Sequence, residues 1–417
     1  MGEACRRGGT TGVEATDAAT ENLPGPLEGV RVLDLTSMIS GPIATMMLAD
    51  QGADVIKVEP PEGDLVRHLG ANRGGLTATF VSANRSKRCL AIDLKAPDGL
   101  AALKRLVPTV DVFVQNFRPG AIERMGLGEA EVRRLRQDIV YVSISGFGET
   151  GPYAHKRVYD PVIQALSGLA AIQADSAGRP RMVRTIIPDK TTAVTAAQAI
   201  TAALFARERS GRGQHVRLAM LDVMVAYLWP EGMSGFTFVG GEVNASRAQL
   251  AQDLVFETSD GYLTAGAVSD AEWQGLCRAL ERPEWLGDPR FETAAGRVVH
   301  VKARLAMTTE VLRGRSTAEW LERLDREGVP CAPILTREAV LTHPQIVENQ
   351  VLEEHEHPAA GRVRQPRPAA RFDGTPARMR APAPRLGEHS CAVLREAGFA
   401  EDEIDALVRG AVVKTHP

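Results

Sequence analysis

Between residues 30 and 145, five short β-rich runs alternate with segments long enough to carry the chain back across a sheet. The runs are Val30–Thr36, Asp54–Glu59, Cys89–Leu94, Val110–Asn116 and Ile139–Ser145. Helical readings fill two of the gaps, Gly41–Asp50 and Asp98–Leu106. Parallel strands need crossovers of this length, whereas antiparallel ones are joined by tight turns. The pattern therefore predicts an α/β fold built on a Rossmann-like parallel sheet. Ligands of such sheets sit beyond the carboxyl ends of the strands. Ser40-Gly41-Pro42 opens a helix after the first strand, but no G-x-G-x-x-G or Walker pattern follows.

A long Ala-rich stretch from Asp189 to about Glu208 reads as a helix, stopped by Ser210-Gly211-Arg212-Gly213-Gln214. A strand at His215–Met220 and a helix at Leu221–Tyr227 follow. The expected organisation is a disordered tail over 1–25 and the first part of a large α/β domain over 26–230. A Gly-rich linker over 231–245 leads to a smaller α+β domain over 246–335. An extended Pro- and Arg-rich connection over 336–385 precedes a helical return to the large domain over 386–417.

Several function classes are disfavoured. A net charge of −3 gives no basic surface for nucleic acid or membrane. The five cysteines are scattered and the nine histidines form no H-E-x-x-H cluster, so no metal site is expected. No apolar run has transmembrane length, and the N-terminal residues lack the apolar centre of a signal peptide. A cytoplasmic enzyme with reduced thiols fits these features.

Asp189 sits in Thr185-Ile186-Ile187-Pro188-Asp189-Lys190, where a helix begins. Unpaired N–H groups and the positive end of the helix dipole are expected to keep its carboxylate ionised. Such a residue reads as a helix cap or as a nucleophile that forms acyl intermediates.

An ordered series of motifs resembles the class III CoA-transferase family, which also includes α-methylacyl-CoA racemases. It runs through Leu27–Thr36, Gly52–Pro60, Asn84–Arg88, Asn116-Phe117-Arg118-Pro119-Gly120, Ser145-Gly146-Phe147-Gly148, Gly328-Val329-Pro330 and Leu386-Gly387-Glu388-His389. The resemblance implies that Asp189 attacks an acyl-CoA thioester, giving an aspartyl anhydride and then an aspartyl-CoA thioester. CoA is then a substrate, from an acyl-CoA donor to a carboxylic-acid acceptor, and no cofactor is permanently bound. By the same matching, Lys95, Asn116, Phe117 and Arg124, with Arg157 and Met220, fall where the family holds CoA. Ser37, Ile39 and Ser40 should border the thioester end. Oxalate-using members carry Gln where this chain has Ile39. Tyr159-Asp160 matches the aromatic–acidic pair of the transferases, with Asp160 a second carboxylate or a helix cap. Racemases carry His before the Asp at that point; His155 would substitute only on a helical segment. Gly240-Gly241 reads as a covering loop or as a plain linker. Arg73, Arg184 and Arg247 are candidates for an acceptor carboxylate or surface charges. The resemblance also implies an interlocked homodimer. Racemization and CoA binding without turnover stay open as alternatives.

Overall fold

The computed structural model describes residues 23–175, 177–240 and 253–416. The tail expected over 1–25 lies outside the described residues up to residue 22. Gly25 itself is packed: a Cβ there would lie 2.2 Å from the Gln51 carbonyl oxygen. The chain divides after Tyr227 and again after Asn349, and the larger unit combines the segments on either side of the smaller.

The larger unit is built on a seven-stranded sheet. Its strands are β1 (Arg31–Asp34), β2 (Asp54–Glu59), β3 (Lys87–Ile92), β4 (Val112–Gln115), β5 (Val140–Ser145) and β6 (His215–Ala219). They lie in the order β3-β2-β1-β4-β5-β6, all parallel, and Val413–Lys414 adds an antiparallel edge beside β3. The order reverses at β1, so the β1 and β4 chains leave the sheet in opposite directions and open a crevice at their carboxyl ends.

Successive residues serve opposite faces of this sheet. Val32, Val55, Val112 and Val142 pack under two helices, α1 (Ser40–Asp50) and α3 (Ile187–Ser210). Leu33, Ile56, Leu90 and Phe113 pack under the helices Pro97–Leu106, Ser390–Glu396 and Glu401–Arg409. A parallel sheet covered on both faces needs apolar residues at nearly every strand position, which these strands supply. Small side chains at the helix contact, Ala44 and Ala49 against Ala193, Ala196 and Ala197, bring α1 and α3 close together. The start of α3 therefore lies beside the start of α1. A further short helix, α2 (Asp160–Leu166), packs against α3.

The smaller unit carries a three-stranded antiparallel sheet of Val255–Glu257, Tyr262–Ala265 and Cys331–Pro333. Helices Asp270–Ala279 and Thr317–Arg326 begin at capping boxes on Ser269/Glu272 and Ser316/Glu319. They enclose Trp273, Trp285, Phe291 and Trp320, and the buried Trp320 indole N–H donates to the Leu312 carbonyl at 2.7 Å.

One expectation is corrected here. The connection read as extended over 336–385 contains an antiparallel hairpin, Leu352–His357 with Gly361–Pro366. Its outward positions carry Glu and Arg that pair across the strands, as Arg364 does with Glu354. The period of two is therefore written in charges, and few apolar residues mark it. Arg73, a candidate for an acceptor carboxylate, donates instead to the hairpin carbonyls of Ala360 and Arg362.

Candidate active site

The loop from β1 to α1 is held backbone group by backbone group. Asp34, fully buried at the end of β1, accepts from the Thr36 N–H at 2.9 Å and from Thr45 Oγ1 at 2.6 Å. Lys57 Nζ donates to the Thr36 carbonyl at 3.0 Å. Asn116, just past β4, makes a reciprocal pair with Ser37: its Oδ1 accepts the Ser37 N–H and its Nδ2 donates to the Ser37 carbonyl, each at 2.9 Å. The Asp64 carboxylate accepts the Met38 N–H at 3.1 and 3.2 Å. Met38 has φ +69°, a left-handed conformation that costs an L-residue with a side chain. The loop then folds so tightly that a Cβ on Gly41 would lie 2.3 Å from Thr36 Cβ, which leaves room only for glycine.

This loop delivers Ser40 to Asp189. Ser40 lines the same cavity as Asp189, and its hydroxyl and N–H act to lower the pKa of the Asp189 carboxyl. Asp189 lies in the first turn of α3, whose N-cap is Ile186 and carries no side-chain cap bond. The capping reading of Asp189 is thus corrected: it stands in the first turn, and Ile186 is the N-cap. Its N–H donates to Asp160 Oδ2 at 3.2 Å, while Asp160 Oδ1 accepts from Gln164 Nε2 at 2.6 Å. Asp160 is buried at the start of α2, and the N-cap there is Tyr159.

The helix terminus does not set the Asp189 pKa. Burial first and the neighbouring Asp160 charge second raise the Asp189 pKa from 3.8 to about 6, against the lowering by Ser40. Loss of hydration outweighs the helix terminus. The group still ionises at neutral pH, as a poorly solvated and therefore reactive carboxylate.

Asp189 opens into a cavity of about 270 Å³ at the β1/β4 crevice, lined also by Ser37, Ile39, Ser40, Asn116, Phe117, Arg157, Tyr159 and Met220. Nine of the twelve residues that the resemblance assigns to catalysis or to CoA thus border one space. Asp160 lies behind it. Lys95 and Arg124 line an adjoining cavity of about 850 Å³ that shares Ser37, Phe117 and Tyr159. His155 stands on a turn, not a helix, and lines a different cavity with Glu149 and Ser143. Arg184 is exposed; Arg247 and Gly241 lie outside the described residues, and Gly240 has φ +78°.

Sequence reasoning missed Arg118 and Lys156, which line the Asp189 cavity, and the ion pair Lys57–Asp64 beneath its loop. One signal was available for the pair. Lys57 and Glu59 fall two apart in a strand buried on both faces, so both charges must find partners inside. Among the described residues no group of three His, Cys, Asp or Glu could hold a metal, and no helix is long and apolar enough to cross a membrane.

Residues 27–390 match the model of CoA-transferase family III. The chain belongs to this family. It is 35% identical to succinyl-CoA:glutarate CoA-transferase of Mus musculus over 94% of this chain and 91% of that one. It is 36% identical to succinate–glutarate CoA-transferase of Agrobacterium fabrum, over 89% and 95%. Among solved structures, a CAIB/BAIF family protein from Brucella suis superposes with a TM-score of 0.78 at 30% identity, over 90% of this chain and all of the other. The family and the relatives make the chain a class III CoA-transferase, an enzyme acting on acyl-CoA thioesters.

Proposed function

We propose that this enzyme moves CoA from succinyl-CoA to a second dicarboxylic acid through covalent intermediates on Asp189. The Asp189 carboxylate attacks the thioester carbonyl; the C–S bond breaks and CoA leaves as thiolate, giving a mixed anhydride. The thiolate attacks the Asp189 acyl carbon and expels succinate, leaving an aspartyl-CoA thioester. The acceptor carboxylate then attacks that thioester and the two steps run in reverse. Each intermediate stays activated, so transfer needs no external energy source, and water must be kept out. Ser40 N–H and hydroxyl stand where charge moves on and off the carboxylate.

The observation that carries this reading is a half-buried carboxylate with a raised pKa that lines a cavity in the sheet crevice. Lys95, Asn116, Phe117, Arg124, Arg157 and Met220 are assigned to CoA, with the long cavity beside Lys95 and Arg124 suited to its nucleotide. Asp160 orients Asp189, and Tyr159 walls the cavity. A dicarboxylate is favoured because Arg118 and Lys156 also line the Asp189 cavity, where Asp189 is the only acid among the lining residues. The names of the mouse and Agrobacterium relatives point the same way. His155, the residue that could supply a racemase's second base, lines a neighbouring cavity and not that of Asp189, which favours transfer. An interlocked homodimer in the cytoplasm completes the proposal.

Incubation with succinyl-CoA and glutarate should yield glutaryl-CoA by mass spectrometry, and Asp189→Ala should abolish it. Hydroxylamine trapping during turnover should mark the peptide that holds position 189; exchange that persists in Asp189→Ala refutes the assignment.

A further inference from the structure

The pair Lys57–Asp64 lies wholly inside the larger unit, with both side chains almost fully buried. Two such charges lose much hydration energy, and an apolar pair of the same shape would serve packing as well or better. What distinguishes them is where their bonds go. Lys57 reaches the carbonyl of Thr36, and both oxygens of Asp64 reach the N–H of Met38. Glu59 fixes Asp64 in turn, accepting its N–H at 2.8 Å while Arg67 holds Glu59 with two bonds at 2.7 Å. Two residues beyond Met38 stands Ser40, which lines the same cavity as Asp189.

The geometry points to Asp64, backed by Lys57, as a positioning residue for the proposed transfer: it holds Met38 in its left-handed conformation and thereby aims the Ser40 hydroxyl and N–H at Asp189. The inference rests on the reading of Asp189 as nucleophile. A left-handed Met is disfavoured, so the loop leaves this conformation unless something binds it there. A charge-assisted bond from a buried carboxylate is of the strength required. Asp64 also caps the short helix Leu65–His68 through the Val66 N–H at 3.2 Å. A capping role alone would affect unfolding and leave the chemistry untouched.

Asp64→Asn removes the charge with little change of shape. In full-length enzyme assayed with succinyl-CoA and glutarate, we expect kcat to fall about five- to thirtyfold, the population lost when a left-handed residue is released. KM for succinyl-CoA should change less than kcat: Asp64 lines the cavity assigned to CoA, but its side chain is almost fully buried and the assigned CoA-binding side chains keep their identity. A folded variant with unchanged kcat, or with the whole loss in KM, overturns the inference. Should Asp64→Asn fail to fold, residue-resolved hydrogen exchange on the wild-type enzyme decides. A protected Met38 amide supports the clamp and a freely exchanging one refutes it. Activity surviving in Asp189→Ala would strike the functional reading, whereas inactive Asp189→Ala beside fully active Asp64→Asn would strike this inference alone.

Discussion

Asp189→Asn should silence exchange and stabilise the fold at the same time. The wild-type carboxyl titrates at about 6 in the folded protein against 3.8 for the free group. Between those values the folded state keeps a proton that the unfolded chain releases, so stability falls as pH rises. The contribution is complete below 3.8 and gone once pH passes well above 6. The difference corresponds to about 3 kcal/mol at full value. Solvent reaching the carboxylate and the favourable influence of Ser40 on its charged form, which Asn loses, reduce the expected gain to about 1–2 kcal/mol. Thermal unfolding should therefore place Asp189→Asn about 1–3 °C above wild type at pH 8. The gap should close as the buffer is taken below pH 6, where the wild-type carboxyl is protonated and resembles the amide. A variant no more stable than wild type at pH 8, or a gap that ignores pH, would refute a desolvated Asp189. Such a trade of stability for a reactive group is common at active sites.

Asp160→Asn removes the charge that helps raise Asp189, so the acid limb of kcat/KM should move below about 6 while burial holds it above 3.8; an unmoved limb counts against the coupling. The same variant turns one acceptor into a donor facing Gln164 or the Asp189 N–H, and urea titration should register a loss of about 1–3 kcal/mol. Ser40→Ala acts in the opposite direction: the limb should rise above about 6 and exchange measured at pH 6 should fall. Gly41→Ala drives a Cβ to 2.3 Å from Thr36, and calorimetry should report destabilisation of about 1–3 kcal/mol, with loss of exchange as the loop shifts.

The sheet was legible because its strands are buried on both faces. Asp54–Glu59, an unbroken run between Gly52 and Pro60, is found with the bounds the sequence suggests. The long helix after Pro188 is likewise marked at both ends, by proline in its first turn and by Gly211 at φ +66° after its last. The hairpin at 352–366 escaped because charges carry its alternation. At the site, residue types and family-like motifs drew attention to Asp189, Ser40 and Asn116, which the β1/β4 crevice brings to one cavity. The pKa direction was not legible. The sequence displays a helix start, but the solvent lost when α1 packs beside α3 exists only in three dimensions. Asp64 was equally hidden, since its link to Met38 joins segments 26 residues apart that share no pattern.

The antiparallel strand Val413–Lys414 lies against β3, with Ser390 Oγ bridging from the Ala91 N–H to the Lys414 carbonyl. During synthesis, β3 leaves the ribosome roughly 300 residues before the partner that seals it, a wait of about 15–60 s at ordinary translation speed. Throughout that interval the nascent chain carries an open row of amides and carbonyls beside apolar Leu90 and Ile92. Chaperone dependence and expression yield should therefore respond more sharply to changes at Val413 than its distance from Asp189 in the sequence would suggest.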